Sequence, residues 1–203
     1  GSAKNFVALI QEAGFEISKS KLFHQGSPKM AGGNEPNDKW GSVLETGDFD
    51  GDGFHDLAIG TPNESIGSIL EAGAVTFVYG SSTGLDGRGS RLFHQNTSRV
   101  PGGSELADHW GDSIMSADLN ADGRSDVLVS SSAESIGTAY DTGFMVLLKG
   151  SYSGITSYGA KGIHQNSYNI PGSNRNGDYW GRLGADSWVD SYRPPKGVVT
   201  PSG

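Results

Sequence analysis

The chain has no cysteine among its 203 residues, so it can form neither a disulfide framework nor a thiolate metal site. It has little positive charge: 15 Lys and Arg stand against 23 Asp and Glu, and the net charge of −8 argues against a nucleic-acid partner. It has no apolar run long enough to cross a bilayer, so we expect no membrane insertion. What it does have is 32 glycines at regularly spaced positions, as short strands joined by tight turns require.

The main positive feature is a pattern that returns at a step of 70 residues. Trp40-Gly41 returns as Trp110-Gly111 and again as Trp180-Gly181. A His-Gln pair returns in the same way at 24–25, 94–95 and 164–165. A fixed period indicates that one supersecondary unit is used repeatedly, so each repeated residue is first of all a structural part.

Within a unit the apolar residues form short runs that end at Gly, Pro, Asn or Ser. The runs are of strand length and rich in β-branched and aromatic types. They lie at 42–44, 56–60, 74–79 and 91–94 in the first unit, and at 113–115, 126–129 and 143–148 in the second. We therefore predict an all-β fold in which each 70-residue repeat is a β-propeller blade of about four antiparallel strands.

The register of the repeat predicts how the whole chain is divided. We expect a single repeat domain over 1–203, in which 1–24 is the closing half of a blade, 25–94 and 95–164 are whole blades, and 165–203 is an opening half with a divergent tail. Bare strand edges at both ends would be a liability. Either the chain is a piece of a larger propeller, or the two halves pair with each other or with another copy, in which case a homo-oligomer completes the propeller.

Two acidic strings occupy the same place in the two whole units. The first has oxygen-bearing side chains at positions 1, 3, 5 and 9, glycine at position 6 and a backbone carbonyl at position 7: Asp48, Asp50, Asp52, Asp56, Gly53 and Phe54. The second repeats this pattern with Asp118, Asn120, Asp122, Asp126, Gly123 and Arg124. Alternate oxygens on a tightly curled loop converge on one point, which suits Ca²⁺ ahead of Mg²⁺. Asp, Asn and Gly also favour simple turns, but identical offsets in both strings favour two calcium sites.

An EF-hand would need a bidentate Glu at position 12 and flanking helices, but position 12 is Ile59 in one string and Val129 in the other. The stretch from Trp40-Gly41 through the acidic string to Leu57-Ala58-Ile59-Gly60-Thr61-Pro62 instead resembles the FG-GAP repeats of integrin α-subunit β-propellers and their bacterial relatives. The resemblance implies that each acidic string joins the first two strands of a blade and that its calcium is structural.

Other candidate residues recur with the period and so have structural explanations. The histidines 24, 94 and 164 would be separated by whole blades and could not share one ion. The aspartates 38, 108 and 178 are expected to be turn caps, and the repeated tryptophans to be core or inter-blade packing. The chain has no nonrepeated Ser-His-Asp set and no phosphate-binding loop. We therefore predict that it is not an enzyme.

The function favoured by these features is a calcium-stabilised binding or adhesion module of a secreted or cell-surface protein, with a protein or glycan ligand that the sequence does not name. The alternatives are a noncatalytic module or fragment of a secreted hydrolase, and a structural self-assembling subunit. Ligand specificity would rest on the nonrepeated residues, which are Lys39, His109, Tyr179, the segment 152–158, and Trp188, Tyr192 and Arg193 of the tail.

Overall fold

The computed structural model of the protein describes residues 21–182. This part of the chain contains eight β-strands and no helix. The strands are β1 Val43–Gly47, β2 Asp56–Thr61, β3 Ala74–Val78, β4 Arg91–Phe93, β5 Ser113–Ala117, β6 Asp126–Ser131, β7 Phe144–Lys149 and β8 Thr156–Ile163. Most of the predicted closing half-blade and the divergent tail lie outside the described residues, so the predicted pairing of the two halves stays a prediction.

The strands form two four-stranded antiparallel sheets in simple consecutive order, β1-β2-β3-β4 and β5-β6-β7-β8. Their registers correspond: Leu44 pairs with Ile59 in the first sheet, and Ile114 pairs with Val129 in the second. The prediction of an all-β fold with about four antiparallel strands in each repeat is confirmed, and the two sheets have the form of consecutive propeller blades.

Every strand predicted from an apolar run is present, and the fourth strand of the second sheet, for which no apolar run was found, is long. β8 covers eight residues, whereas its counterpart β4 covers three. Part of the segment predicted to carry specificity, 152–158, therefore belongs to the outer edge of the second sheet. Its pairing with β7 includes a register shift between Leu147 and Lys149. Such an irregularity bends the strand locally and leaves a residue unpaired.

The two sheets share one hydrophobic core. Val127, Val129 and Val146 of the second sheet are completely buried, as are Val75 and Phe77 of the first. At about 1.5 to 3 kcal/mol for each large apolar side chain removed from water, this core is the main source of stability.

The repeated tryptophans differ in burial. Trp110 lies between the two sheets and is fully buried, as predicted for inter-blade packing. Trp40 and Trp180 are only half-buried in the described structure. Their prediction as core residues is thus confirmed only for Trp110, because the other two lie where the described chain provides a blade on one side alone.

Each sheet is joined to the next repeat by close backbone contact. Trp110 N donates to Ala72 O at 3.0 Å, and Trp180 N donates to Thr142 O at the same distance. Gly73 makes this approach possible, since a Cβ at that position would lie 2.2 Å from Trp110 O. Its φ of 85° is also in the region that favours glycine. This junction holds the start of each unit against the unit before it.

Candidate metal centre in the acidic loops

The acidic strings form the turns between the first two strands of each sheet. The first lies between β1 and β2, and the second lies between β5 and β6. This is the position that the resemblance to FG-GAP repeats implied. Because β1 and β2 are neighbouring antiparallel strands, the turn is short and its residues must curl back on themselves.

In the first loop three carboxylates come together. Asp48, Asp50 and Asp56 each place an oxygen within 4.8 Å of the others. Asp48 is held by two backbone amides, since Gly51 N donates to its Oδ1 at 2.7 Å and Gly53 N donates to its Oδ2 at 3.0 Å. The loop conformation therefore fixes the carboxylate positions instead of leaving them free to move apart.

Asp56 anchors this group at the start of β2. It is almost fully buried, and its two oxygens accept hydrogen bonds from Phe49 N and Gly80 N, each at 2.7 Å. Burial raises its pKa to about 6, with the neighbouring carboxylates Asp50 and Asp48 contributing in the same direction. Burial also raises the pKa of Asp50, as do Asp52 and Asp48. These carboxylates repel one another, and a bound cation would neutralise their negative charge.

The remaining two predicted ligands of the first loop are placed differently. Asp52 is exposed and is not part of the group of three; its Oδ1 accepts from Phe54 N at 2.8 Å. The ring of Phe54 is 43% exposed. The roles of the Asp52 carboxylate and the Phe54 carbonyl as metal ligands stay predictions.

The second loop repeats the backbone geometry of the first. Asp118 Oδ2 accepts from Gly123 N at 2.9 Å, as Asp48 does from Gly53. Asp122 N donates to both Asp118 Oδ1 and Asn120 Oδ1, at 3.1 and 2.9 Å, so these two oxygens face the same point. Asp126 is buried like its counterpart and accepts from Gly150 N at 3.1 Å.

Arg124 makes the second loop electrostatically different from the first. Its guanidinium lies 2.9 Å from Asp122 Oδ2 and 4.2 Å from the centre of the Tyr152 ring. Hydrogen bonding with Asn120 and Arg124 lowers the pKa of Asp122 despite desolvation. The loop also has Asn120 where the first loop has Asp50. It therefore presents less net negative charge to a cation.

The two loops contact each other across the junction between the sheets. Ser125 N donates to Asp48 O at 2.7 Å. A Cβ on Gly51 would lie 2.9 Å from Arg124 Cγ, so the glycine leaves room for that side chain. This contact between loops 70 residues apart in sequence could not be read from the spacing of the acidic residues.

The donor set of each loop suits a hard cation. All the side-chain donors are oxygens and a glycine at position 6 permits the sharp turn. Ca²⁺ accepts irregular oxygen coordination more readily than Mg²⁺ does. Asp48, Asp50 and Asp56 would hold it in the first loop, and Asp118, Asn120 and Asp126 in the second. When bound, it would supply the positive charge that these carboxylates lack.

Other repeated residues have structural contacts. The predicted turn caps are confirmed: Asp38 Oδ2 accepts from Glu35 N at 2.9 Å, and Asp178 Oδ2 accepts from Arg175 N at 2.9 Å. His164 Nδ1 accepts from Asn166 N at 3.1 Å, which is a local turn contact. Burial lowers the pKa of His94, so this ring favours the neutral form.

Sequence reasoning missed a buried pair present in both sheets. Gln25 Nε2 donates to Glu64 Oε2 at 2.8 Å, and Gln95 Nε2 donates to Glu134 Oε2 at 2.6 Å. Burial raises the pKa of both glutamates to about 7. The signal was available, because both partners recur with the 70-residue period.

Comparison with known proteins agrees with this geometry. Residues 40–78, which run from the first repeated tryptophan through the first acidic loop to the end of β3, match the family model of the FG-GAP repeat. This segment is an FG-GAP repeat. The resemblance inferred from Trp40-Gly41 and the acidic string is thereby confirmed for residues 40–78.

Two curated proteins share a longer segment with this chain. Both are named phosphatidylinositol-glycan-specific phospholipase D, one from Mus musculus and one from Rattus norvegicus, and each is 31% identical over 99 residues. The shared segment is 49% of this chain but 11% of either relative. The likeness therefore concerns a module within those proteins and not their whole length.

Within residues 21–182, no helix long and apolar enough to span a membrane is found.

Proposed function

We propose that this chain is a calcium-stabilised, noncatalytic binding module of an extracellular protein, built from FG-GAP propeller blades. The observation that carries the proposal is the convergence of Asp48, Asp50 and Asp56 within 4.8 Å on a loop whose backbone holds them in place. Like charges at this distance repel one another unless a cation lies between them. Extracellular calcium is abundant enough to fill sites of modest affinity.

The test is a calcium titration of the metal-stripped protein by calorimetry, with magnesium as the comparison ion. We expect two binding events for Ca²⁺ and much weaker binding of Mg²⁺. Because a ligand that binds only the folded form stabilises it by mass action, excess chelator should lower the melting temperature. Absence of both binding heat and a melting shift would overturn the proposal that calcium stabilises this fold.

The binding role itself is tested by screening protein and glycan arrays with and without calcium. FG-GAP repeats are typical of extracellular and cell-surface proteins, which supports a role in binding or adhesion. A specific array ligand whose capture is lost on addition of chelator would support the proposal. Equal, weak signal across all array members would count against a binding function.

The relatives favour a second candidate function. Because their printed name is that of a phospholipase D and the shared segment is a small part of them, the chain would serve as a noncatalytic module of a larger secreted hydrolase. We expect the isolated chain to turn over no generic ester, phosphoester or glycoside substrate. Turnover that disappears on substitution of a single residue would show instead that the chain is itself catalytic.

A further inference from the structure

A backbone hydrogen bond joins the first acidic loop directly to the second. Asp48, a proposed calcium ligand of the first loop, accepts at its backbone O from Ser125 N at 2.7 Å. Ser125 directly precedes Asp126, a proposed ligand of the second loop. A change in the position of either ligand residue is therefore felt by the backbone of the other loop.

A second route between the loops runs through Phe49. Its N donates to Asp56 Oδ2 at 2.7 Å, and its O accepts from Ser151 N at 3.1 Å. The residue before Ser151 is Gly150, whose N donates to Asp126 Oδ1 at 3.1 Å. Asp56 and Asp126 are the buried proposed ligands of their loops. Three hydrogen bonds and two short backbone segments thus connect these two carboxylates.

The two loops are also packed tightly against each other. A Cβ on Gly150 would lie 2.6 Å from Ser125 O and 3.0 Å from Phe49 O. A Cβ on Gly47, which precedes the first loop, would lie 2.8 Å from Ser125 Cβ. Because closely packed groups transmit displacement instead of absorbing it, the backbone of one loop cannot shift without disturbing the other.

The sign of the coupling follows from what calcium would do to an empty loop. Without a cation the clustered carboxylates repel one another. Calcium would hold Asp48 in the conformation whose backbone O accepts from Ser125 N. A second cation then meets a loop that is already ordered and loses less conformational entropy on binding, which is positive coupling. Charge acts in the opposite direction, because a filled loop attracts the second cation less, but salt screens this effect and leaves the hydrogen bonds in place.

We propose that the two acidic loops bind calcium as a positively coupled pair, with the junction between the two sheets transmitting the effect. The inference rests on the proposed function, because it concerns the same two calcium sites. It adds that each loop gains affinity when the other is filled. Calcium in either loop therefore stiffens the junction between the blades as well as its own turn.

The first test compares the calcium affinity of each loop with the other loop filled and disabled. NMR of the full chain in about 0.15 M salt, where charges beyond about 8 Å are screened, follows each loop separately through the amides of Gly53 and Gly123. Calcium is fixed by a chelator buffer. Asn120→Ala disables the second loop and should weaken the first about fivefold. Asp50→Ala should weaken the second loop by the same factor, because coupling between two sites is reciprocal.

Gly150→Ala tests the junction itself without changing a proposed ligand. The new Cβ would press on the backbone of both loops, so the coupling factor should fall toward one while both loops still bind calcium. The matched control is Gly103→Ala, since the nearest atom to its added Cβ is 3.9 Å away. This control should keep the factor of the parent. The factor is measured by repeating the Asn120→Ala comparison in each background.

Hydrogen exchange gives a readout that remains if Gly150→Ala does not fold. In the Asn120→Ala variant calcium fills the first loop alone. Exchange of the Ser125 and Ser151 amides, which donate to the first loop from the second sheet, should then slow on addition of calcium. The amide of Gly111, which donates to Ser130 O at the other end of the sheets, should slow less.

Equal affinity of the first loop in the parent and in Asn120→Ala would overturn the coupling, and so would tighter binding in the variant. Unchanged exchange at Ser125 and Ser151 when the first loop fills would do the same. These results are distinct from failure of the proposed function. If both loops bind calcium independently, only the coupling falls; if neither loop of the parent binds calcium, the proposed calcium stabilisation falls with it.

Discussion

At the scale of a single residue, Phe49 links the proposed calcium site of the first loop to the core. It lies between the first two proposed ligands of that loop, is completely buried, and packs edge to face against Phe77 at 5.7 Å between ring centres. Its backbone N also donates to Asp56. The side chain therefore holds the loop against the sheet while its backbone orients a carboxylate.

Phe49→Ala should lower the free energy of unfolding by about 3 to 5 kcal/mol, since it removes a large buried ring and leaves a cavity. It should also weaken calcium binding at the first loop. Chemical denaturation measures the first effect and calorimetry measures the second. Phe54→Ala is the matched control from the same loop, because its ring is 43% exposed and its loss should change stability far less. Equal losses in the two variants would contradict this view of the loop.

Asp50→Ala should remove calcium binding at the first loop and leave the second intact. Asn120→Ala should do the reverse, because each residue occupies the same position of its own loop. Calorimetry should show one binding event in each variant in place of two. Asp86→Ala, an acidic residue outside both loops, should retain both events. Loss of both events in either single variant would mean that the loops act as one site.

The raised pKa values of Glu64 and Glu134 predict how the stability of the metal-stripped protein depends on pH. Burial raises the pKa of both to about 7, above the ordinary value of 4.5, so the folded state binds these protons more tightly than the unfolded state. Between these two pH values the free energy of unfolding therefore falls as pH rises. The melting temperature in chelator should be higher at about pH 5 than at about pH 7.5. Replacing both glutamates with Gln should reduce this difference, and Glu71→Gln, a half-exposed control beside His109, should not.

At the scale of the element, the sequence predicted the features that local residue patterns determine. It missed the features that depend on contacts between elements. Short apolar runs bounded by turn residues located β2, β3, β6 and β7 because these strands are buried. The length of β8 was not predictable, because residues such as Gly159 and Lys161 carry no strand pattern and are ordered by pairing with β7. The offsets of the acidic residues predicted the loops, but the contact between the loops depends on how the sheets pack.

The junction between blades provides a test of this packing. Gly73→Ala should destabilise the fold by several kcal/mol, because the new Cβ would lie 2.2 and 2.3 Å from Trp110 O and N. Gly67→Ala is the control: its φ of 64° imposes a comparable backbone strain, but nothing lies within 4 Å of the added Cβ. The difference between the two variants in chemical denaturation isolates the steric part. Similar values would show that the close approach to Trp110 is unimportant.

The two acidic loops should also differ in affinity. The first loop has Asp50 where the second has Asn120, and the second carries Arg124 beside Asp122. Fewer negative charges mean weaker attraction for Ca²⁺. We expect calorimetry to resolve a tighter and a weaker site, and Asn120→Asp to strengthen the weaker one. Arg124→Gln should have the same effect. Identical affinities in the parent protein would contradict this order.

At the scale of the whole molecule, the two sheets differ in one face. In the described part of the chain, the first sheet buries this face against the second sheet, whereas the equivalent face of the second sheet is exposed. Glu45 of β1 accepts from Ser116 Oγ at 2.7 Å, and Phe49 is buried at the same junction. The residues one period later are Met115 and Leu119, which are 49% and 61% exposed in the described part of the chain. A repeat protein buries such faces by stacking a further unit on them.

We expect a second copy of the chain to provide that unit, so the protein should associate in solution at micromolar concentration. Light scattering should then give a mass above the 21.2 kDa of one chain. Leu119→Ser should shift the population toward the single chain, because it removes apolar area from the interface. Leu106→Ser is the control. Leu106 lies in the connection from β4 to β5, is 72% exposed and lies away from this face. A monodisperse single chain in the parent protein would contradict association through this face, and equal effects of the two substitutions would mean that association uses another surface.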